Sequence, residues 1–249
     1  MVDTHCHLDS CKDATAEVVA RARQAGVARL ATVGMNGASI EQALADAAEH
    51  EGVVAIVGRH PHHAEGFDDA GLEEIERAAA DPWARAIGET GLDYYRDRAP
   101  RDDQRRAFEA QLDLAARTRL PVVIHTRAAE DDTFAILAER ARDLTVILHC
   151  FSAPSRLDEC VEHGYVCSFA GNVTYPNATD LQAAARDLPE ELLMVETDSP
   201  YLAPQPVRGK SNEPANVTHT AELVADLRGV RYDELDAVVE ENARRVFGW

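Results

Sequence analysis

The stretches Val122-Val123-Ile124-His125 and Val146-Ile147-Leu148-His149 decide the fold. Each is a short aliphatic run without a polar interruption, the pattern of a strand covered on both faces of a parallel sheet. Each also ends on a histidine. Working outward, similar β-like runs occupy residues 1–4, 30–35, 53–59, 85–89, 165–169 and 192–197. Alanine-rich charged stretches with helical spacing separate them, at 14–25, 40–49, 72–80, 105–118 and 131–142. Near the end, Leu235, Val238, Val239, Asn242 and Val246 share one face of a last helix. Eight strands alternating with helices predict an α/β fold with a parallel sheet, and eight is the number that closes a TIM (β/α)8 barrel. A doubly wound open sheet is the alternative. It calls for a glycine-rich turn after the first strand, where Asp3-Thr4-His5-Cys6-His7 stands instead. Residues 1–249 read as a single domain of the length such a barrel needs.

The composition narrows the function classes. Asp and Glu number 44 and Lys and Arg 25, a formal charge of −19, while the hydrophobic fraction of 45% is that of a globular protein. Such a charge opposes a broad electrostatic grip on duplex nucleic acid, which needs clustered cations. No apolar run has the length of a membrane span, and Met1-Val2-Asp3 leaves no room for a signal peptide, so a cytoplasmic monomer with no membrane partner is expected. Five cysteines, Cys6, Cys11, Cys150, Cys160 and Cys167, form no CxxC pair and read as reduced thiols. Only Lys12 and Lys210 are lysines. Abundant acid with almost no lysine points first to a halophilic protein adapted to a high-salt cytoplasm, the bland alternative being a GC-rich genome that favours Arg and Ala codons.

The polar residues fall at the carboxyl ends of the strands. His5 and His7 end the first, His60 the third, Glu89 the fourth, His125 the fifth, His149 the sixth and Asp198 the eighth. In a barrel these ends converge on the face that carries the active site. The two-residue period of a strand points His5 and His7 the same way and Cys6 the other, so the two imidazoles can share one divalent metal. A histidine beside Val122-Val123-Ile124 or Val146-Ile147-Leu148 is costly to bury without a charged or metal partner. Glu89 lies in Ile87-Gly88-Glu89-Thr90-Gly91-Leu92-Asp93, where the glycines permit close backbone approach. Its carboxylate can bridge two metals, or simply cap a helix or pair with an arginine. Glu196 and Asp198 share a strand face, one to bind metal or take a proton from water and the other to support it. The bland alternative is a polar strand end before Ser199-Pro200. Pro61 turns His60 toward the pocket as a phosphate contact or an acid, and leaves His62 and His63 as loop residues. Arg127, Arg208 and Lys210 are the best phosphate contacts. Tyr94, Tyr95, Phe151 and Tyr201 either stack on a base or pack the rim.

Taken in order, Met1-Val2-Asp3-Thr4-His5-Cys6-His7-Leu8-Asp9, Gly58-Arg59-His60-Pro61-His62, Gly88–Asp93, Pro121–Arg127, Leu148-His149-Cys150-Phe151-Ser152, Glu196–Leu202 and Arg208–Pro214 resemble the TatD family, from residue 1 to Asn242-Ala243. These are metal-dependent deoxyribonucleases of the amidohydrolase-like TIM-barrel superfamily. The resemblance implies two divalent metal ions, one held by His5, His7, Glu89 and Asp198 and the other by Glu89, His125 and His149. It makes Asp198 the group that orients or deprotonates the attacking water, with Glu196 and His60 in support. A histidine-rich ligand set suits Zn, Mn or Fe, whereas family activity is described with Mg or Mn. The expected reaction is phosphodiester cleavage of DNA, as a 3′→5′ exonuclease at single-stranded ends. Hydrolysis of an ester or amide, such as a misacylated tRNA, and non-catalytic nucleic-acid binding are the alternatives.

If the acidity is a salt adaptation, the purified protein unfolds or loses activity when molar KCl is dialysed away, read by circular dichroism and by assay. Full folding and activity at low salt removes the halophilic reading.

Overall fold

In the computed structural model, which describes residues 1–249, eight parallel strands pair in chain order. They are β1 (Val2–Cys6), β2 (Arg29–Gly34), β3 (Val53–Val57), β4 (Ala84–Asp93), β5 (Val122–Arg127), β6 (Val146–Leu148), β7 (Val166–Phe169) and β8 (Leu193–Val195). The seam between β8 and β1 closes by an isolated bridge between Cys6 and Ser199, with Asp198 N donating to His5 O at 2.9 Å and His7 N to Ser199 O at 2.8 Å. The result is the expected TIM barrel, with helices outside. These are α1 (Thr15–Gln24), α2 (Gly37–Glu49), α3 (Asp69–Ala79), α4 (Arg101–Thr118), α5 (Glu130–Arg140), α6 (Leu157–His163), α7 (Thr179–Asp187), α8 (Val217–Arg228) and α9 (Tyr232–Phe247). None is long and apolar enough to cross a membrane.

Strands covered on both faces need apolar residues at every position, and β3 and β6 are buried throughout. Helix starts follow local chemistry. Asn36 caps α2 by accepting from Ser39 N while the Ser39 hydroxyl accepts from Asn36 N, and Asp68 caps α3 by accepting from Gly71 N at 3.0 Å.

The departures from the sequence reading concentrate where the chain enters the mouth of the barrel. β4 runs four residues past Glu89, because Thr90, Gly91, Leu92 and Asp93 keep pairing with Ile124–Arg127 of β5. Gly91 makes this possible. Its φ of 140° is open to glycine, and a Cβ there would collide with His125 O. Conversely, β6 and β8 stop before His149 and Glu196, whose segments turn inward. Helices α6, α7 and α8 lie in stretches that the helical spacing did not mark.

Two buried glutamines two turns apart on α4 tie this mouth to the helix layer. Gln104 accepts from Asp93 N at 2.9 Å and donates to Ala99 O at 2.9 Å. Gln111 accepts from Arg59 N at 2.7 Å and donates to Thr90 Oγ1 at 2.7 Å and Arg59 O at 3.1 Å. Together they fix the ends of β3 and β4 from behind. Gln111→Leu leaves the Arg59 amide without its acceptor in a buried setting. It is expected to lower unfolding stability by about 1–3 kcal/mol in urea titration, while an unchanged midpoint shows that water replaces the amide.

Candidate metal centre

The carboxylate of Glu89, 2% exposed, sits at the floor of the mouth with its two oxygens turned to different groups. Oε2 faces His5 Nε2 at 3.4 Å and His7 Nε2 at 3.9 Å. Asp198 Oδ1 completes that side, 3.8 Å from His5 Nε2 and 3.4 Å from His7 Nε2. Oε1 faces His125 Nδ1 at 2.6 Å, His149 Nε2 at 2.9 Å and His60 Nε2 at 3.3 Å. Residues spread from 5 to 198 in sequence thus meet around one carboxylate. Cys6, between the two β1 histidines, points the other way and donates to Ala31 O.

The first group fits a cation. Both ring nitrogens of His5 are buried without a hydrogen-bond partner, as is Nδ1 of His7. A neutral imidazole must carry one N–H, and burying it unpaired is costly. Two imidazole nitrogens and two carboxylate oxygens facing one another at 3.4–3.9 Å offer a divalent ion four donors. On the other side, His125 Nδ1 and His149 Nε2 flank Glu89 Oε1, and His60, His125 and Glu89 bring three donor atoms close together.

Outer contacts set the tautomers. His149 Nδ1 lies 3.1 Å from Glu196 Oε1, which also accepts from Cys150 N at 2.7 Å, so Nε2 is the nitrogen presented to Glu89 and the one a metal would take over from a proton. His125 Nε2 lies 3.3 Å from Asp93 Oδ2, which is held in turn by His62 Nε2 at 2.7 Å. That leaves His125 Nδ1 facing inward on Glu89, where a metal would displace its proton. Carboxylates of this kind fix ring orientation and raise ligand basicity. Asp3 does the same for the end of β1, accepting from Thr197 N at 2.9 Å and His5 N at 3.3 Å. Its complete burial pushes its pKa up to about 8 despite these hydrogen bonds. His60 Nδ1 accepts from His62 N at 3.0 Å, so its proton sits on Nε2, and burial pulls its pKa down to about 3. With that tautomer His60 presents an N–H beside Glu89 Oε1.

Burial alone would raise the pKa values of Glu89 and Asp198, yet the surrounding histidines hold both below the carboxylate range. Burial alone would lower those of His125 and His149. Hydrogen bonds to Asp93 and Glu89 raise the first, and the charges of Glu89 and Glu196 raise the second further. Asp198 and Cys150 adopt left-handed backbone, at φ 54° and 44°, on either side of the cluster. Such strain in non-glycine residues persists where the surroundings over-determine it.

The outlying candidates separate into two kinds. Arg127 is exposed at the end of β5, Arg208 and Lys210 are exposed on the loop after β8, and Tyr201, 54% exposed, has its ring 6.0 Å from that of His7. Phe151, by contrast, is buried against Phe169, so it packs the core and cannot stack on a base. Tyr94 is half-buried with its hydroxyl on Asp132 at 2.7 Å. Sequence reasoning passed over Asp93 as a participant and left His62 as a loop residue. Asp93 was legible as the residue two strand periods beyond Glu89; His62 had no such signal.

Metal must displace protons from the raised histidines, so its affinity is expected to rise with pH through their titration and to fall below it. Calorimetric titration with Zn or Mn in buffers of different ionisation enthalpy should read proton release in the wild type and, for Asp93→Ala, an affinity about 10- to 100-fold weaker. Binding without proton release, or an Asp93→Ala affinity equal to the wild type, contradicts these ligand assignments.

Comparison with known proteins finds relatives over the whole chain. Residues 2–248 match the family described as TatD related DNase. The chain is 36% identical to the uncharacterized metal-dependent hydrolase YabD of Bacillus subtilis, over 99% of this chain and 98% of that one. It is also 36% identical to the 3′-5′ ssDNA/RNA exonuclease TatD of Pectobacterium carotovorum, over 93% and 92%. The crystal structure of YjjV, a TatD homologue from Escherichia coli K12, superposes with a TM-score of 0.92 at 28% identity, covering 100% of this chain and 98% of that one. With its barrel and its histidine–carboxylate cluster in place, the chain belongs to the TatD family of metal-dependent hydrolases.

Proposed function

We propose that the protein hydrolyses phosphodiester bonds of DNA as a 3′→5′ exonuclease on single-stranded ends, with two divalent ions, Zn, Mg or Mn, at its centre. The division of Glu89 between two ligand groups carries this reading, since a carboxylate's two oxygens can span a pair of ions about 3.5–4 Å apart. Bound ions supply Lewis acidity at phosphorus and a reactive water at neutral pH.

The chain's own groups do the rest. Asp198, ionised and 14% exposed at its side chain, is the carboxylate most open to the mouth and accepts the proton of the attacking water. Glu196, fully buried, holds His149 in register and does not reach the substrate. The Nε2–H of His60 offers a fixed donor beside Glu89 for a phosphate oxygen. The water oxygen bonds to phosphorus as the P–O bond to the leaving sugar oxygen breaks, and that oxygen recovers a proton from solvent. Arg127, Arg208, Lys210 and Tyr201 are placed to meet the remainder of the strand. The name of the Pectobacterium relative supports the substrate class.

Incubation of metal-supplemented protein with 5′-labelled single-stranded DNA is expected to shorten it progressively from the 3′ end. Glu89→Ala is expected to lose at least about 10³-fold in rate, as groups acting as one catalytic unit do when removed. Hydrolysis of ester or amide substrates without any loss of nucleotides from DNA overturns the proposal.

A further inference from the structure

Most of the 25 basic side chains are tied to a carboxylate or a backbone carbonyl. Those with neither are concentrated at the mouth. Arg96 and Arg98 follow β4, Arg127 ends β5, Arg208 and Lys210 lie in the loop after β8, and Lys12 lies in the loop after β1. Only Arg85 and Arg119, at the opposite end of the barrel, share their lack of a partner. The mouth loops after β2 and β7, residues 35–36 and 170–178, contain no charged residue. In a ring of eight strands, the β4–β5 pair stands diametrically opposite the β8–β1 seam. The free cations therefore form two flanks on one diameter, with the Glu89 cluster between them.

Each flank also carries aromatic rings. On the β4–β5 side, Tyr95 is 64% exposed, with the Arg127 guanidinium 4.2 Å and that of Arg96 5.7 Å from its ring centroid. On the other side, Arg208 lies 3.9 Å over Tyr175. Nearby carboxylates are engaged. Asp97 holds Arg101, Asp131 holds Arg156 and Asp132 holds the Tyr94 hydroxyl. Asp93 fixes the Tyr95 platform to the centre. Its Oδ1 accepts from Tyr95 N at 3.0 Å and Arg96 N at 2.7 Å, while Oδ2 holds His125 and His62.

We propose that this diameter is the path of a single nucleic-acid strand, with a base stacked on Tyr95 and backbone phosphates on Arg127 at one flank and on Arg208 and Lys210 at the other. The inference rests on the phosphodiester reading and names the surface that delivers the strand. A flat exposed ring backed by a guanidinium suits any base, because every base has a π-face. Separated cations suit a flexible polyanion, and their small number matches a short contact instead of a duplex-long one.

Binding of a fluorescein-labelled phosphorothioate oligo(dT) of about ten nucleotides to Mn-supplemented protein, followed by anisotropy across a KCl series, tests it. Tyr95→Ala is expected to weaken binding at least about 5-fold, as loss of one stacked base does, with the salt slope unchanged. Arg127→Ala and Arg208→Ala are each expected to weaken it and to reduce the slope by about 0.7. Arg119→Ala, at the far end, should bind as the wild type does. Tyr95→Ala binding within about twofold of wild type, Arg119→Ala losing as much as Arg127→Ala, or no wild-type binding each overturns the inference. The two proposals fail separately. Cleavage of ordinary DNA with binding indifferent to Tyr95 removes the path alone, whereas the expected binding pattern without cleavage removes only the phosphodiester reading.

Discussion

The carboxylate of Glu89 is buried among five imidazoles, and much of the mouth is arranged so that this is affordable. An isolated buried carboxylate costs several kcal/mol, and a buried imidazole without partners adds its own penalty. Each penalty is relieved only by the other, or by cations between them. The requirement propagates outward. The histidines must sit at strand ends, β4 must carry glycine where it passes His125, and Asp198 must accept left-handed backbone to reach both β1 histidines. Behind them stand Asp3, Asp93, Glu196, Gln104 and Gln111, each spending hydrogen bonds on holding a ligand or its backbone in place.

What the sequence made legible follows from the same physics. Aliphatic runs ending in histidine mark strands because a buried strand has no polar face, and the clash between apolar run and polar end marks the site. His125 and His149 stand out for that reason, and His5, His7, Glu89 and Asp198 because they lie at or near the carboxyl ends of other strands. Helices α6, α7 and α8 went unmarked; α6, with only seven residues, makes barely two turns, too few for a period to show. His62 looked like a loop residue because its partner, Asp93, is 31 positions away. The glutamines of α4 were invisible for a different reason: a buried amide that satisfies backbone groups leaves no periodic signal. Strand boundaries slipped most at β4, which stays paired with β5 four residues past Glu89.

The net charge of −19 also reads differently once the pairs are drawn. Exposed arginines are mostly consumed by neighbouring carboxylates on the helical exterior, in ion pairs worth little individually. The acid excess is thus a property of the outer layer, while the free positive charge is concentrated on one face. At molar salt, screening over about 3 Å would silence the former at range while leaving close contacts in the mouth intact.

The two flanks of the mouth are anchored unequally. Tyr95 and Arg96 hang from the same carboxylate that orients His125, so a change in that loop is felt at the centre. Arg208 rests on Tyr175, in a loop whose base Asn212 pins to Thr197 O and Tyr201 O, and its link to the cluster runs only through backbone, where Tyr201 N donates to Asp198 O at 2.9 Å. Variation is therefore cheap on one bank and expensive on the other. Lineages that adapt this barrel to new leaving groups, and laboratories that wish to do so, have residues 202–210 to work with, whereas the segment after β4 is bound to the chemistry it serves.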